Sequence, residues 1–137
     1  MNTLIVGGAG FIGSVLASEL VASGNNVLVV DKLSLGKKEF LNKINVKFFP
    51  EDINNIEKII QLLKKEEKID EVWHLAANSD ISLGQRNLKV DLNDTFMSTV
   101  SLLEIMKKIE CYNLHFSSSS AVYGVHKDKL KENSGPL

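Results

Sequence analysis

Cysteine is almost absent from this chain: Cys111 is the single one in 137 residues. That excludes an internal disulfide and fits a reducing cytoplasm; lying before an apolar run with no basic helper in sequence, the thiol reads as an inert packing group. No apolar stretch approaches the roughly 18 residues that a membrane span needs. Neither sign of charge is in excess, with 16 Lys and Arg against 17 Asp and Glu and a net charge of −1. Nothing electrostatic therefore argues for nucleic acid or an anionic membrane as partner. No set of His, Cys and carboxylates has metal-ligand spacing. Repeats, low-complexity tracts and linker-like breaks are also missing, and Met1-Asn2 runs straight into an apolar stretch, so no signal peptide is expected. What remains is 44% hydrophobic and 24% charged residues, the make-up of a soluble globular protein long enough for one domain.

Short apolar runs rich in Val, Ile and Phe predict strands at Thr3-Val6, Asn26-Val30, Val46-Phe49, Glu71-Leu75 and Asn113-Ser117. Helical periodicity separates them. The first helix begins near Phe11, buries Phe11, Ile12, Val15, Leu16, Leu20 and Val21, and stops at Gly24. A short second helix covers Lys37-Leu41. A third runs through Ile56, Ile59, Ile60 and Leu63, with Asn54 or Asn55 as cap. The longest passes through Leu92, Phe96, Leu103, Met106 and Ile109. Alternation of this kind implies an α/β fold, a doubly wound parallel sheet of order 3-2-1-4-5, with its ligand crevice at the carboxyl ends of the strands.

The first such end carries Gly7-Gly8-Ala9-Gly10-Phe11-Ile12-Gly13, a glycine bend between a strand and a helix. It satisfies both G-x-G-x-x-G from Gly8 and the G-x-x-G-x-x-G variant from Gly7. Residues without Cβ let the backbone approach a pyrophosphate at the helix N-terminus. Asp31 ends the next strand, where a carboxylate accepts the hydroxyls of an adenosine ribose and repels a 2′-phosphate; Lys32 beside it softens that repulsion. The expected cofactor is NAD.

Asp52-Ile53 follows strand 3. The carboxylate either meets an adenine amino group, with Ile53 on the ring, or simply starts the third helix. His74-Leu75-Ala76-Ala77 ends strand 4; small residues there suit a close ligand, and His74 reads as structural. Strand 5 ends in Ser117-Ser118-Ser119-Ser120-Ala121-Val122-Tyr123-Gly124.

Taken together, these motifs resemble the extended short-chain dehydrogenase/reductase superfamily, and within it the NAD-dependent epimerase/dehydratase family, along the whole chain. The resemblance implies a Rossmann-type domain over residues 1–137, cut off after the fifth strand. Gly7, Gly10, Phe11, Ile12 and Gly13 would hold the pyrophosphate. Asp31, Lys32 and Leu33 would hold the adenosine ribose, Asp52 and Ile53 adenine, and Leu75, Ala76 and Ala77 the inner ribose and phosphates. Ser117 and Ser118 would lie beside the nicotinamide, and Ser119 would be the catalytic serine that bonds the reacting sugar oxygen. The implied substrate is a nucleotide sugar, a UDP-sugar above all, oxidised transiently at C4 by a cytoplasmic homodimeric epimerase.

The chain also departs from the family pattern. Where the long helix normally opens Asn-Val-x-Gly-Thr, it has Thr95-Phe96-Met97-Ser98-Thr99, so only the Thr95 hydroxyl is left to replace a cofactor contact. The catalytic Tyr-x-x-x-Lys pair belongs on a helix after strand 5. Tyr123 and Lys127 have the spacing, but Tyr123 already belongs to the serine-strand motif and Gly124 opens a helix poorly. The true tyrosine is expected beyond Leu137. Ala121 stands where dehydratases and decarboxylases carry an acid, which favours an epimerase over a dehydratase or reductase. A non-catalytic NAD-responsive binding protein is the alternative of another class. Without the catalytic helix, one face of strands 4 and 5 should lose its cover, so that the chain self-associates or is disordered after Gly124.

Overall fold

The computed structural model describes residues 1–124, 129–131 and 134, without the side chains of Ser120 and Ala121. Strands β1 (Asn2–Val6), β2 (Asn26–Val30), β3 (Lys47–Phe49), β4 (Glu71–His74) and β5 (Leu114–Phe116) form one parallel sheet in the order 3-2-1-4-5. The expected order and fold class are both found. Register is fixed by buried residues on both faces: Val6 lies between Val30 and His74, so three strands end level where β1 runs into the glycine bend.

Helices α1 (Phe11–Ala22), α2 (Ile56–Leu63), α3 (Ile81–Arg86), α4 (Leu88–Asp91) and α5 (Ser98–Lys108) connect them, with a π-helical turn at Leu92–Met97 joining α4 to α5. Two apolar layers result. Leu4, Val6, Leu28, Val30 and Val72 face α2 and α5 and pack with Ile59, Leu102, Ile105 and Met106. Ile5, Val27 and Val29 face α1 and meet Ala17 and Leu41. Each fully buried Leu or Ile contributes roughly 1.5–3 kcal/mol through area removed from water. Cys111 is buried in the first layer, and burial pushes its thiol pKa up, as suits an inert packing group. Among the described residues, no helix is long and apolar enough to cross a membrane.

Boundaries differ from expectation by one or two residues. The short helix is a 3-10 turn at Lys38–Leu41, and α3 has no counterpart in the sequence reading. Asn55 holds the cap position of α2 without a side-chain cap bond; its amide donates instead to Glu51. Gly24 ends α1 as expected, at φ +83, with Asn25 N–H donating to Leu20 O and Gly24 N–H to Val21 O.

The helix faces agree with expectation only in part: Leu16, Leu20 and Val21 of α1 pack against one sheet layer, and Met106 and Ile109 of the long helix against the other. In α1 the buried residues are Gly13, Ser14 and Ala17, while Phe11, Ile12 and Val15 are exposed. The helix is apolar nearly all round, and its close approach to the sheet puts the small residues deepest, with Leu16, Leu20 and Val21 packed beside them. In α5 the buried face is Ser98, Ser101, Leu102, Ile105 and Met106. Leu92, Phe96 and Leu103 point outward and, with Val100, form an exposed stripe. The π turn adds a residue to the helical path and rotates the faces. Buried Ser98 and Ser101 are tolerated because the Ser98 hydroxyl donates to Asp94 O and the Ser101 hydroxyl to Asn54 Oδ1.

The amino-terminal ends of the strands are tied by polar contacts. Glu71 accepts from the Thr3 hydroxyl at 2.9 Å and from Trp73 Nε1 at 3.3 Å, and lies 3.0 Å from His115 Nε2. Burial raises its pKa, but these partners outweigh that and hold the carboxyl below the usual range.

At the end of α5, Glu110 occupies the left-handed region at φ +55 while Cys111 N–H donates to Met106 O. That conformation costs a non-glycine residue about 1–2 kcal/mol, partly offset by the entropy a glycine loses on folding. Glu110→Gly should therefore stabilise the chain by about 0.5–1 kcal/mol, read as a higher urea midpoint at unchanged slope.

Candidate functional site

The glycines of the bend differ in what surrounds them. Gly7 has φ +87, and a Cβ there would meet Ala76 N at 2.6 Å. A Cβ on Gly13 would overlap Gly7 O and Gly8 Cα. Both positions are closed by the protein's own backbone, where α1 and the β4 loop press on the bend. Gly10 differs: its nearest neighbour is Gly7 O at 3.4 Å, and the rest of its surroundings are open. It is also the residue before α1 and gives the helix no side-chain cap. The first-turn N–H groups thus remain available, together with the positive end of the helix dipole.

In front of this bend lies a cavity of about 610 Å³. Gly7, Gly10, Phe11, Ile12, Gly13, Asp31, Lys32, Asp52, Ile53, Leu75, Ala76, Ala77 and Ser117 all line it. The ends of all five strands therefore contribute to one cleft. The Asp31 carboxylate braces the bend: Oδ2 accepts from Ala9 N–H at 3.0 Å and Oδ1 from Leu33 N–H at 2.7 Å. Its remaining lone pairs can still accept from hydroxyl groups. Leu33 sits at φ +61, strained for a branched side chain, and packs against the α1-side layer away from the cavity lining.

Other expected site residues are placed differently. Asp52 lines the cleft but also accepts from Asn54 N–H at 2.9 Å, the start of the turn into α2, so both readings of it have a physical basis. The Thr95 hydroxyl accepts from Asn78 N–H at 3.1 Å and holds the loop after β4 behind the cleft wall. Ser118 and Ser119 are exposed and do not line the cleft, and Ser119 O accepts from Val122 N–H. Tyr123 closes a 3-10 turn at Ser120–Tyr123 and Gly124 follows at φ +64, so no catalytic helix begins there. Lys127, and the expectation of disorder after Gly124 over 125–128, 132–133 and 135–137, lie outside the described residues.

The sequence reading missed the segment after Ala77. Asn78, Ser79, Leu83 and, across the cleft, Asp94 also line the cavity. Part of this was legible, since Asp80 caps α3 by accepting from Leu83 N–H at 2.9 Å. Asp94 reaches the cleft through a contact 62 residues away in sequence, with Lys32, and no local pattern announces that.

His74 is 2% exposed at the end of β4. Thr99 already donates its hydroxyl proton to Thr95 O, so at 3.0 Å from His74 Nε2 it can only accept; the ring carries its proton on Nε2. Nδ1 is buried without a partner among the described residues. A neutral, structural imidazole results, and burial lowers its pKa from 6.5 to about 4.

A parallel α/β sheet with a glycine bend, an uncapped helix N-terminus and an aspartate at the next strand end defines the class of dinucleotide-binding Rossmann proteins. Comparison with known proteins narrows this. The chain belongs to the NAD-dependent epimerase/dehydratase family, whose model matches residues 3–137. It is 37% identical over 127 residues to a UDP-glucose 4-epimerase of Lactobacillus helveticus, covering 93% of this chain and 38% of that protein. The crystal structure of UDP-glucose 4-epimerase from Thermotoga maritima with UDP-glucose superposes with a TM-score of 0.84 at 34% identity, covering 94% of this chain and 41% of the other. The Stenotrophomonas maltophila enzyme with bound NAD and formylated UDP-arabinopyranose gives 0.88 at 28% identity, covering 100% and 43%. The chain thus spans about two fifths of the length of these relatives.

The titration of His74 predicts a pH dependence of stability. Below pH 6.5 the unfolded imidazole takes up a proton that the folded one refuses until about pH 4. Stability is therefore full above the unfolded pKa and falls on acidification, by about 2 kcal/mol between roughly pH 7.5 and 5. Urea midpoints across that range check this, and His74→Phe should flatten the profile.

Proposed function

We propose that this chain is the amino-terminal, NAD-binding portion of a nucleotide-sugar 4-epimerase that takes a UDP-sugar. The observation that carries the reading is convergence: Gly10, the open first turn of α1 and Asp31 meet in one cleft that also holds Ile53, Ala76 and Ser117. The residues fit the cofactor, because the open position at Gly10 is the one a side chain would fill and the free N–H groups are those a diphosphate needs.

Bound NAD would supply an acceptor for hydride from the sugar carbon. The chain's own groups do the rest. Gly7, Gly10, Phe11, Ile12 and Gly13 hold the diphosphate; Asp31, flanked by Lys32 and Leu33, takes the adenosine ribose. Asp52 and Ile53 face adenine. Leu75, Ala76 and Ala77 keep the inner ribose close to the sheet, with Thr95 supporting that loop through Asn78. Ser117 and Ser118 border the nicotinamide, and Ser119 orients the sugar hydroxyl. Deprotonation of that hydroxyl requires a tyrosine lowered in pKa by a nearby lysine, which the described residues do not provide. Ala121 cannot act as the acid of an elimination, which supports epimerisation over dehydration. The domain over 1–137 is on this reading incomplete, and it binds cofactor without turning over.

The exposed stripe Leu92, Phe96, Val100 and Leu103, with Phe96 at 61% exposure, supports a homodimer through the long helix. Sedimentation of the chain should show concentration-dependent association, and Phe96→Glu should abolish it.

Calorimetric titration with NAD should give saturable binding. Gly10→Ala should weaken it at least tenfold with little loss of stability, whereas Gly13→Ala should cost about 2–3 kcal/mol of stability outright, because its Cβ meets backbone. Assayed with UDP-glucose and UDP-galactose, the chain alone should show no interconversion; robust turnover would overturn the assignment of the missing pair.

A further inference from the structure

The adenine end of the cleft carries a contradiction. Asp31 suits a ribose with a free 2′-hydroxyl, yet a basic residue close by is what accommodates a 2′-phosphate, and Lys32 is in that place. The position of the ammonium resolves it. Lys32 Nζ lies 2.6 Å from Asp94 Oδ1 and 3.4 Å from Asp52 Oδ2, and all three residues line the cleft. Burial alone would lower the lysine pKa, but the two carboxylates raise it, so the ammonium stays charged and engaged. Asp94 is itself anchored. It sits on the π turn, its carbonyl accepts from the Ser98 hydroxyl at 2.8 Å, and the adjacent Asn93 carbonyl accepts from Asn54 Nδ2 at 3.1 Å. Asn54 in turn accepts from buried Ser101.

We propose that Asp94, with Asp52, is a specificity-determining residue: it holds Lys32 across the adenine end of the cleft, so that this lysine does not offset the repulsion between Asp31 and a 2′-phosphate. This rests on the NAD reading above. One lysine faces two carboxylates here, and with Asp31 the formal charge at this end is negative. The dianionic phosphate of NADP meets that charge directly, while the uncharged 2′-hydroxyl of NAD does not. Freed from Asp94, Lys32, the residue that follows Asp31, can pair with the phosphate and weaken that repulsion.

The test is the ratio of NADPH to NADH affinity, read by cofactor fluorescence on the 137-residue chain. The parent should prefer NADH. Asp94→Asn and, separately, Asp52→Asn should each shift the ratio toward NADPH by about tenfold. Adding Lys32→Ala to either should remove the shift. Lys37, the other lysine lining the cleft, is present throughout and cannot produce a difference between variants. A purely structural role for Asp94 would weaken both cofactors alike and leave the ratio unmoved, which would overturn the inference. A shift that survives Lys32→Ala would overturn it too. A parent chain that binds neither cofactor would instead sink the NAD reading, and this inference with it.

Discussion

Backbone meeting backbone at the β1–α1 bend is the constraint on which this structure turns. Three segments converge there: the bend itself, the first turn of α1 and the loop after β4. They come so close that a Cβ on Gly7 would sit 2.6 Å from Ala76 N. The same closeness brings α1 down onto the sheet over Ala17 and aims its N-terminus at the crevice between β1 and β4, where the strand order reverses. Asp31 adds the second constraint, since its bond from Ala9 N–H ties the bend to the end of β2. The cleft opens at this point because the backbone of the bend carries no side chain at Gly7, Gly10 or Gly13.

How α1 and α5 use their apolar residues follows from this. A helix drawn close to the sheet buries glycine, serine and alanine deepest, and its first large residues turn outward. Phe11 and Ile12 are thereby 79% and 66% exposed beside the cleft, where α1 begins. In α5 the π turn has a similar effect: it presents Asp94 to the cleft and sends Phe96 to the far side. π turns concentrate at functional sites because the added residue re-aims neighbours without ending the helix.

Much of this was legible before any coordinates. Strand order followed from alternation and handedness, and the cleft from glycines and Asp31 at strand ends. Those signals are local, and each has one physical meaning at its position. The face of α1 was legible only in part, at Leu16, Leu20 and Val21, because periodicity reports which residues are apolar and α1 is apolar on nearly every side; packing distance then decides, and sequence does not encode it. α3 went unseen although Asp80 caps it, since its apolar residues Ile81 and Leu83 are too few to set a period. Asp94 and Lys32 were unpaired in the sequence reading because their contact spans 62 residues and depends on the π turn. Thr95 has a contact that the sequence did not announce: its hydroxyl accepts from Asn78 N–H.

The two ends of the sheet divide the work. At the amino ends, polar groups are satisfied internally: Asn2 N–H donates to Asp70 and its amide to Lys68 O, and Glu71 gathers Thr3, Trp73 and His115 across β1, β4 and β5. Hydrogen bonds to a charged acceptor contribute roughly 1.5–3 kcal/mol each, enough to offset the cost of sinking the Glu71 carboxylate into the sheet edge. At the carboxyl ends the balance is reversed. Among the described residues, the first N–H groups of α1 have no cap, and Lys32 is held by two carboxylates where one would neutralise it. A chain that stabilises one end of its strands this fully can leave the other end under-satisfied, and under-satisfied polar groups in a cleft are what a charged, hydroxyl-rich ligand recognises.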